Sequence, residues 1–283
     1  MAGLTYKKLE KEFAKYVKSE HAVSCNSGTS ALHLALLSCG VGEGDEVIVP
    51  DFTMSACGFA VSYTGAKPVF IDCDDTLNID VDLIEAKVTS KTKAIMPVHI
   101  YGRLCNMDKI MSIAKKYGLY VIEDASEAHG AVFNSPAHIT CFSLYENKII
   151  NAEEGGICTT NYKRHADRMN YFKNMAFDQG HTFFHYDIGY NYRMAESQAK
   201  LALKSLKNVD KELKRRRKAE QKLIKKYGET MPPRDVVWVF DSLRKLEGDT
   251  RPFFKPLSSM PMWGGKCQSP KAQYYSQFNY LKI

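Results

Sequence analysis

Apolar positions recur in two rhythms along this chain. From Tyr6 to Val17 they fall three and four residues apart with lysine and glutamate between them, which predicts an amphipathic helix. Ala22 to Ser24 then reads as a short strand that runs through Asn26-Ser27-Gly28-Thr29 into a helix from Ser30 to Ser38. Strands and helices alternate from there. Glu46 to Val49, Pro68 to Ile71, Ala94 to Val98 and Tyr120 to Ile122 are short apolar runs that predict buried strands, and Ser55 to Tyr63, Val81 to Ala86 and Asp108 to Tyr117 predict helices between them. Thr140 to Leu144 and Gly156 to Thr159 are later strands. This alternation predicts an α/β fold with a mostly parallel central sheet flanked by helices on both faces. Ligands on such sheets bind at the carboxyl ends of the strands.

Beyond about Asn161 the pattern changes to long charged helices, Ser197 to Val209 and Lys211 to Lys226, and Arg251 to Ile283 reads as an irregular piece rich in Pro, Gly and aromatic residues. The change predicts a large domain over 1–207 and a smaller C-terminal domain over 208–283.

Composition narrows the class. The chain has 283 residues, 45% hydrophobic and 25% charged, and no apolar stretch approaches the ~18 residues that a membrane span needs. The start, Met1 to Leu4, passes straight into the amphipathic pattern with no signal-like apolar core. The expectation is a cytoplasmic protein with no membrane partner. Eight scattered cysteines, without a Cys-x-x-Cys pair or a His at metal spacing, read as reduced thiols and imply no metal site. The net charge of +7 comes mostly from Lys211 to Lys226, whose Leu and Ala spacing is that of a solvated helix face. It does not call for nucleic acid, although positive potential would favour a substrate that carries phosphates.

Three stretches carry candidate chemistry. Asn26-Ser27-Gly28-Thr29-Ser30-Ala31 hands a strand to a helix through small residues, so amides at the helix start are placed to hold a phosphate; an ordinary Ser/Thr N-cap reads the same way. Tyr120-Val-Ile-Glu-Asp124 is an apolar strand that ends in carboxylates, with Glu127 three residues on. Asp124 would suit a protonated pyridine nitrogen, and a loop-capping Asp and a surface Glu are the plain alternatives. Cys141-Phe-Ser143 leads into a polar loop that presents Lys148, and Gly155-Gly156 returns the chain to the next strand. A lysine in a desolvated pocket has a lowered pKa and becomes a nucleophile and proton carrier. Singly, each stretch is unremarkable. Phosphate loop, acid and lysine in this order along one sheet edge point to a pyridoxal-phosphate site.

The same stretches closely resemble the DegT/DnrJ/EryC1/StrS family of sugar aminotransferases. The likeness runs from Tyr6 to Asp210 through NSGTSALHLAL, GDEVIVP, YTGAKPVFID, KTKAIMPVHIYG, GLYVIEDASEAHGA, FSLYENK, EGG and GYNYRM, and resumes at TRPFFKPL. It implies a fold-type I PLP-dependent transferase with a shortened C-terminal α+β domain. It also implies a Schiff base at Lys148, a ring-nitrogen contact from Asp124, Glu127 near the cofactor oxygen, and Gly28, Thr29 and Ser143 on the phosphate. Asn191, in the GYN motif, matches a residue that reaches the neighbouring subunit's phosphate, so a homodimer is implied. Lys148 stands where a dehydratase branch has His, which favours transamination from L-glutamate to a nucleotide-linked keto sugar, with 4-keto-6-deoxy sugars the nearest likeness.

The pattern is not complete. Met54 stands where relatives stack an aromatic residue on the cofactor ring, Glu153 replaces a glycine, and Ser258 replaces a His close to substrate. Relatives also have more chain before residue 6, at Phe133 to Thr140 and around Met231 to Gly248. These departures motivate an alternative: a homologue that binds the cofactor but is catalytically impaired, with a binding or regulatory role.

Overall fold

The structure is a computed structural model that describes residues 4–177, 180 and 183–283. The start at Met1 to Gly3, read above as lacking a signal segment, lies outside the described residues.

The elements follow in the order α1 (Leu4–Val17), β1 (His21–Cys25), α2 (Gly28–Ser38), β2 (Glu46–Pro50), α3 (Ala56–Tyr63), β3 (Lys67–Ile71), β4 (Thr92–Ile95), α4 (Met107–Tyr117), β5 (Tyr120–Asp124), β6 (Ile139–Ser143) and β7 (Gly156–Thr160). After them come α5 (Lys163–Lys173), α6 (Glu196–Lys207), α7 (Val209–Tyr227), β8 (Val239–Ser242), β9 (Thr250–Pro252), α8 (Pro270–Tyr275) and β10 (Asn279–Lys282). The first seven strands form one sheet in the order β1-β7-β6-β5-β4-β2-β3, and only β7 runs against the others. Strands such as β2, β5 and β7 are buried almost throughout because helices cover both faces. Among the described residues no helix is long and apolar enough to cross a membrane.

Register places the site. In the ladder, Cys25 and Ser143 each pair with Gly156, and Asp124 pairs with Cys141. The ends of β1, β6 and β5 therefore share one edge with the start of β7. Gly156 is required there, because a Cβ on it would stand 2.1 Å from the Ser27 carbonyl oxygen.

Three local expectations are corrected. Val81 to Ala86 is not an α-helix but two 3₁₀ turns, Val81–Leu83 and Glu85–Lys87, the first capped by Asp80 accepting from the Asp82 amide at 3.1 Å; so short a segment gains too few i→i−4 bonds to nucleate a helix. The strand expected over Ala94 to Val98 is β4, two residues earlier, since Pro97 has no amide to continue the ladder and only its carbonyl is used, by the Asp124 amide at 2.9 Å. The tail from Arg251 to Ile283 is ordered: β10 pairs with both β8 and β9. Those partners are distant in sequence, so local periodicity carries little of the signal.

This three-stranded sheet is held to the main body by buried charges. Arg103, in the loop after β4, donates to the Pro232 carbonyl at 2.9 Å and pairs with Asp241 of β8 at 2.8 Å. Arg234 pairs with the other oxygen of Asp241 at 2.7 Å and with Glu220 of α7 at 3.2 Å. Asp241 thus serves two buried guanidinium groups, and breaking such a set leaves uncompensated buried charge. Asp241→Asn is expected to lower unfolding free energy by about 3–5 kcal/mol, measured by urea denaturation, with the C-terminal sheet losing hydrogen-exchange protection first.

Candidate active site

The phosphate-loop reading begins at the hand-over from β1 to α2. Ser27 caps the helix by accepting from the Ser30 amide at 3.1 Å, and the Ser30 hydroxyl accepts from the Ser27 amide at 3.1 Å. This reciprocal cap serves the third amide of the helix, and a helix start leaves its first amides without intrahelical partners. Those belong to Gly28 and Thr29. Gly28 lies so close to Ser143 that a Cβ would stand 2.7 Å from that residue's own Cβ. Ser143 is fixed by its amide, which donates to the Ser126 hydroxyl at 3.1 Å.

Asp124 closes β5 and is buried. One of its oxygens accepts from the Ser126 amide at 3.0 Å and the other from the Cys57 thiol at 3.3 Å. Glu127 accepts from the Tyr101 amide at 2.7 Å, a bond that Tyr101 makes from a left-handed conformation with φ 52°. The other Glu127 oxygen stands 3.9 Å from the Lys148 amine. Burial pushes the Glu127 carboxyl up to about 7, against the pull of Lys148. Burial also pushes the Lys148 amine below its ordinary value, although Glu127 and Asp124 oppose the shift. Acid and amine therefore approach each other in proton affinity, and the neutral, nucleophilic form of the amine is more accessible than in a solvated lysine.

The loop that carries Lys148 is tightly tied. Its amide donates to the Tyr145 carbonyl at 2.9 Å, Ala152 to Leu144 at 2.7 Å, and Leu144 to Gly155 at 2.8 Å. Glu153, where a glycine was expected to be needed, does adopt φ 65°, and its carbonyl accepts from the Glu146 amide at 2.9 Å. The left-handed turn is kept and a non-glycine residue bears its cost. Behind the loop, buried His129 accepts from the Ile150 amide at 3.1 Å and packs on Phe142. Burial, then Lys148 and Arg216, push its imidazole down to about 3, so it stays neutral.

These groups line one cavity of about 440 Å³ with Gly28, Thr29, Met54, Asp124, Glu127, Ser143 and Lys148 on its wall. Met54 is 55% exposed at its edge. Asn191 is not on this wall; it is exposed and bridges to Asn174. Ser258, which stands where relatives have a His close to substrate, is not on the wall either. It is buried, with its hydroxyl donating to Asp51 at 2.6 Å and its amide to the same carboxylate at 2.7 Å. Several further residues at the site escaped the sequence reading. Cys57 and Tyr101 act on the two acids, and His129 backs the lysine loop. Trp238, from the C-terminal part, lies over Lys148 with its ring centroid 3.9 Å from the amine. His129 sits two residues after Glu127 and was open to detection; Trp238 gave no local signal.

A profile of the DegT/DnrJ/EryC1/StrS aminotransferase family matches residues 1–237. The chain belongs to that family. It is an aminotransferase with the α/β fold of the PLP-dependent members. GDP-perosamine synthase of Caulobacter vibrioides is 40% identical over 285 residues, which cover 89% of this chain and 76% of that protein. Among solved structures, DesV of S. venezuelae in complex with a ketimine intermediate has a TM-score of 0.89 at 30% identity and covers 100% of this chain and 85% of that one. NtdA of Bacillus subtilis with bound cofactor PMP has a TM-score of 0.84 at 27% identity, over 100% and 73%.

The residues present fit the cofactor of this family: a phosphate cradle that a Cβ would fill, a buried carboxylate for a ring nitrogen, and a buried amine in a cavity of ligand size. Two predictions follow from the geometry. Gly28→Ala is expected to weaken pyridoxal-phosphate binding about 10–100-fold by pushing the helix start off Ser143, an effect of the size that a lost phosphate contact gives; equilibrium dialysis reads it. Lys148→Met in the cofactor-free protein is expected to raise Tm at pH 6 by about 2–4 °C. A buried lysine whose pKa is depressed costs stability below its folded value, and the cost fades as pH rises toward 10.5. The gain should therefore shrink with rising pH, as a calorimetric pH series checks.

Proposed function

We propose that this chain binds pyridoxal 5′-phosphate through Lys148 and moves an amino group from L-glutamate to a nucleotide-linked keto sugar, a 4-keto-6-deoxyhexose being the best-fitting class. The observation that carries the reading is the buried Lys148 amine 3.9 Å from Glu127 in a cavity that also holds Asp124. The likeness to GDP-perosamine synthase supports the sugar nucleotide as acceptor, and the NtdA structure supports the cofactor.

When bound, pyridoxal phosphate supplies an aldehyde for an amine and a protonated pyridine ring that withdraws electrons. The chain supplies the rest. Gly28 and Thr29 offer amides, and Ser143 a hydroxyl, to the phosphate. Asp124, with its oxygens already oriented by Ser126 and Cys57, would stabilise the protonated ring nitrogen. Lys148 would hold the cofactor and, when its amine is free, would carry a proton between carbon atoms of the reacting groups, a role that its lowered proton affinity favours. Glu127 stands beside it to take up or return charge as the amine titrates.

Asn191 fits a role across a subunit boundary. It is exposed, and it follows a run of exposed apolar side chains, Phe183, Phe184, Tyr186 and Ile188, at 82%, 62%, 79% and 81% exposure. A second copy of the chain that covered this run would bring Asn191 to its neighbour's phosphate. The active unit in this reading is a cytoplasmic homodimer.

The decisive experiment is spectroscopic. Protein purified with pyridoxal phosphate is expected to show a visible absorption band that Lys148→Ala abolishes and that L-glutamate bleaches; a panel of UDP-, GDP- and dTDP-linked keto sugars should then restore it, with the aminated product identified by mass. A band that glutamate leaves unchanged would favour the cofactor-binding homologue without turnover. Asn191→Asp is expected to leave the Tm of the cofactor-free protein unaltered yet weaken cofactor retention about tenfold, the scale of one charge-assisted hydrogen bond.

A further inference from the structure

Trp238 makes more contacts with the lysine than packing requires. Its indole face stands 3.9 Å from the Lys148 amine, so a cation there meets the electron-rich side of the ring. Its ring N–H donates to the carbonyl of Asn147, the residue immediately before Lys148, at 3.1 Å. The same indole is therefore bonded to the backbone of the lysine loop and covers the lysine's tip.

The ring itself is firmly anchored. The Trp238 carbonyl accepts from Arg216 of α7 at 2.5 Å, and that guanidinium also reaches the Asn147 carbonyl at 3.5 Å and Glu212 at 2.7 Å. Tyr101 and Tyr280 flank the indole with centroids 6.0 Å away. Tyr101 is the residue whose amide holds Glu127. The amine thus has a carboxylate on one side and an indole on another, each fixed by neighbours.

Going beyond the reading of Lys148 as the imine-forming amine, and resting on it, we propose that Trp238 is a positioning residue that provides a resting place for the Lys148 ammonium whenever that amine is not bonded to the cofactor. A long side chain freed inside a cavity has many rotamers, and losing them again costs free energy at every return. Docked on the indole, the amine stays at the cavity wall and close to its bonding position. The π-face also favours the ammonium over the free amine, offsetting part of the burial that drives the proton off. The two effects set how readily Lys148 gives up and regains its proton.

The test measures Lys148 directly. Cofactor-free protein is mixed with pyridoxal phosphate across a pH series, trapped with borohydride, and the Lys148 peptide quantified by mass spectrometry. Trp238→Leu, which keeps apolar cover but removes the π-face, is expected to move the midpoint of adduct formation down by about half a unit to one unit, and Trp238→Phe to restore most of the wild-type value. An unchanged or raised midpoint in Trp238→Leu would overturn the proposal. Failure of the wild-type protein to form any adduct at Lys148 would instead remove the assignment beneath it. A second readout does not depend on the leucine variant folding: in Trp263→Phe, Trp238 is the sole tryptophan, and its emission is expected to titrate with the same midpoint and to lose that titration in Lys148→Met. A flat emission profile also counts against the ammonium resting on the indole.

Discussion

A primary amine kept out of water, yet within reach of two carboxylates, is the constraint on which the rest of this molecule turns. Burial alone would discharge Lys148, and the acids alone would keep it charged; the structure sets them against each other, and burial has the larger effect on both the amine and Glu127. Such a group costs stability, as buried ionisable groups do.

Those elements are joined by contacts with little slack. The start of α2 can approach β6 because Gly28 has no Cβ, and β7 can begin beneath Ser27 because Gly156 has none. The parallel register then brings the ends of β1, β5 and β6 to a common edge, so the start of α2, Asp124 and Ser143 face one space. On the far side, Asp241 ties Arg103 and Arg234 together and fixes the C-terminal strands that deliver Trp238. A charge cluster remote from the chemistry thereby controls the cover over the lysine.

The departures from the family pattern acquire physical meanings. Glu153 adopts the left-handed conformation that a glycine would take freely, and the backbone bonds of the loop hold it there. Ser258 belongs to a buried bond with Asp51. Met54 leaves one edge of the cavity with a flexible, half-exposed side chain, while aromatic surface comes from Tyr145 of the lysine loop and from Trp238, Phe254 and Tyr280 of the C-terminal part.

Much of this was legible in the residues alone. Alternating periodicities fix the parallel sheet, because a strand buried on both faces must be apolar throughout and a covering helix on one side only. The order of phosphate loop, acid and lysine, each at a strand end, then follows from topology, and the motifs around Gly28, Asp124 and Lys148 identify the family. Tertiary structure decided what depends on distance between remote segments. Local pattern could not show that Cys57 would bond Asp124, that Tyr101 would twist to hold Glu127, or that Trp238 would cross from the C-terminal sheet to cover Lys148. Nor could it show that the tail forms strands, since β10 pairs with β8 and β9, both distant from it in sequence. Periodicity reports which side of an element is buried, and chemistry at a site depends on which atoms meet there.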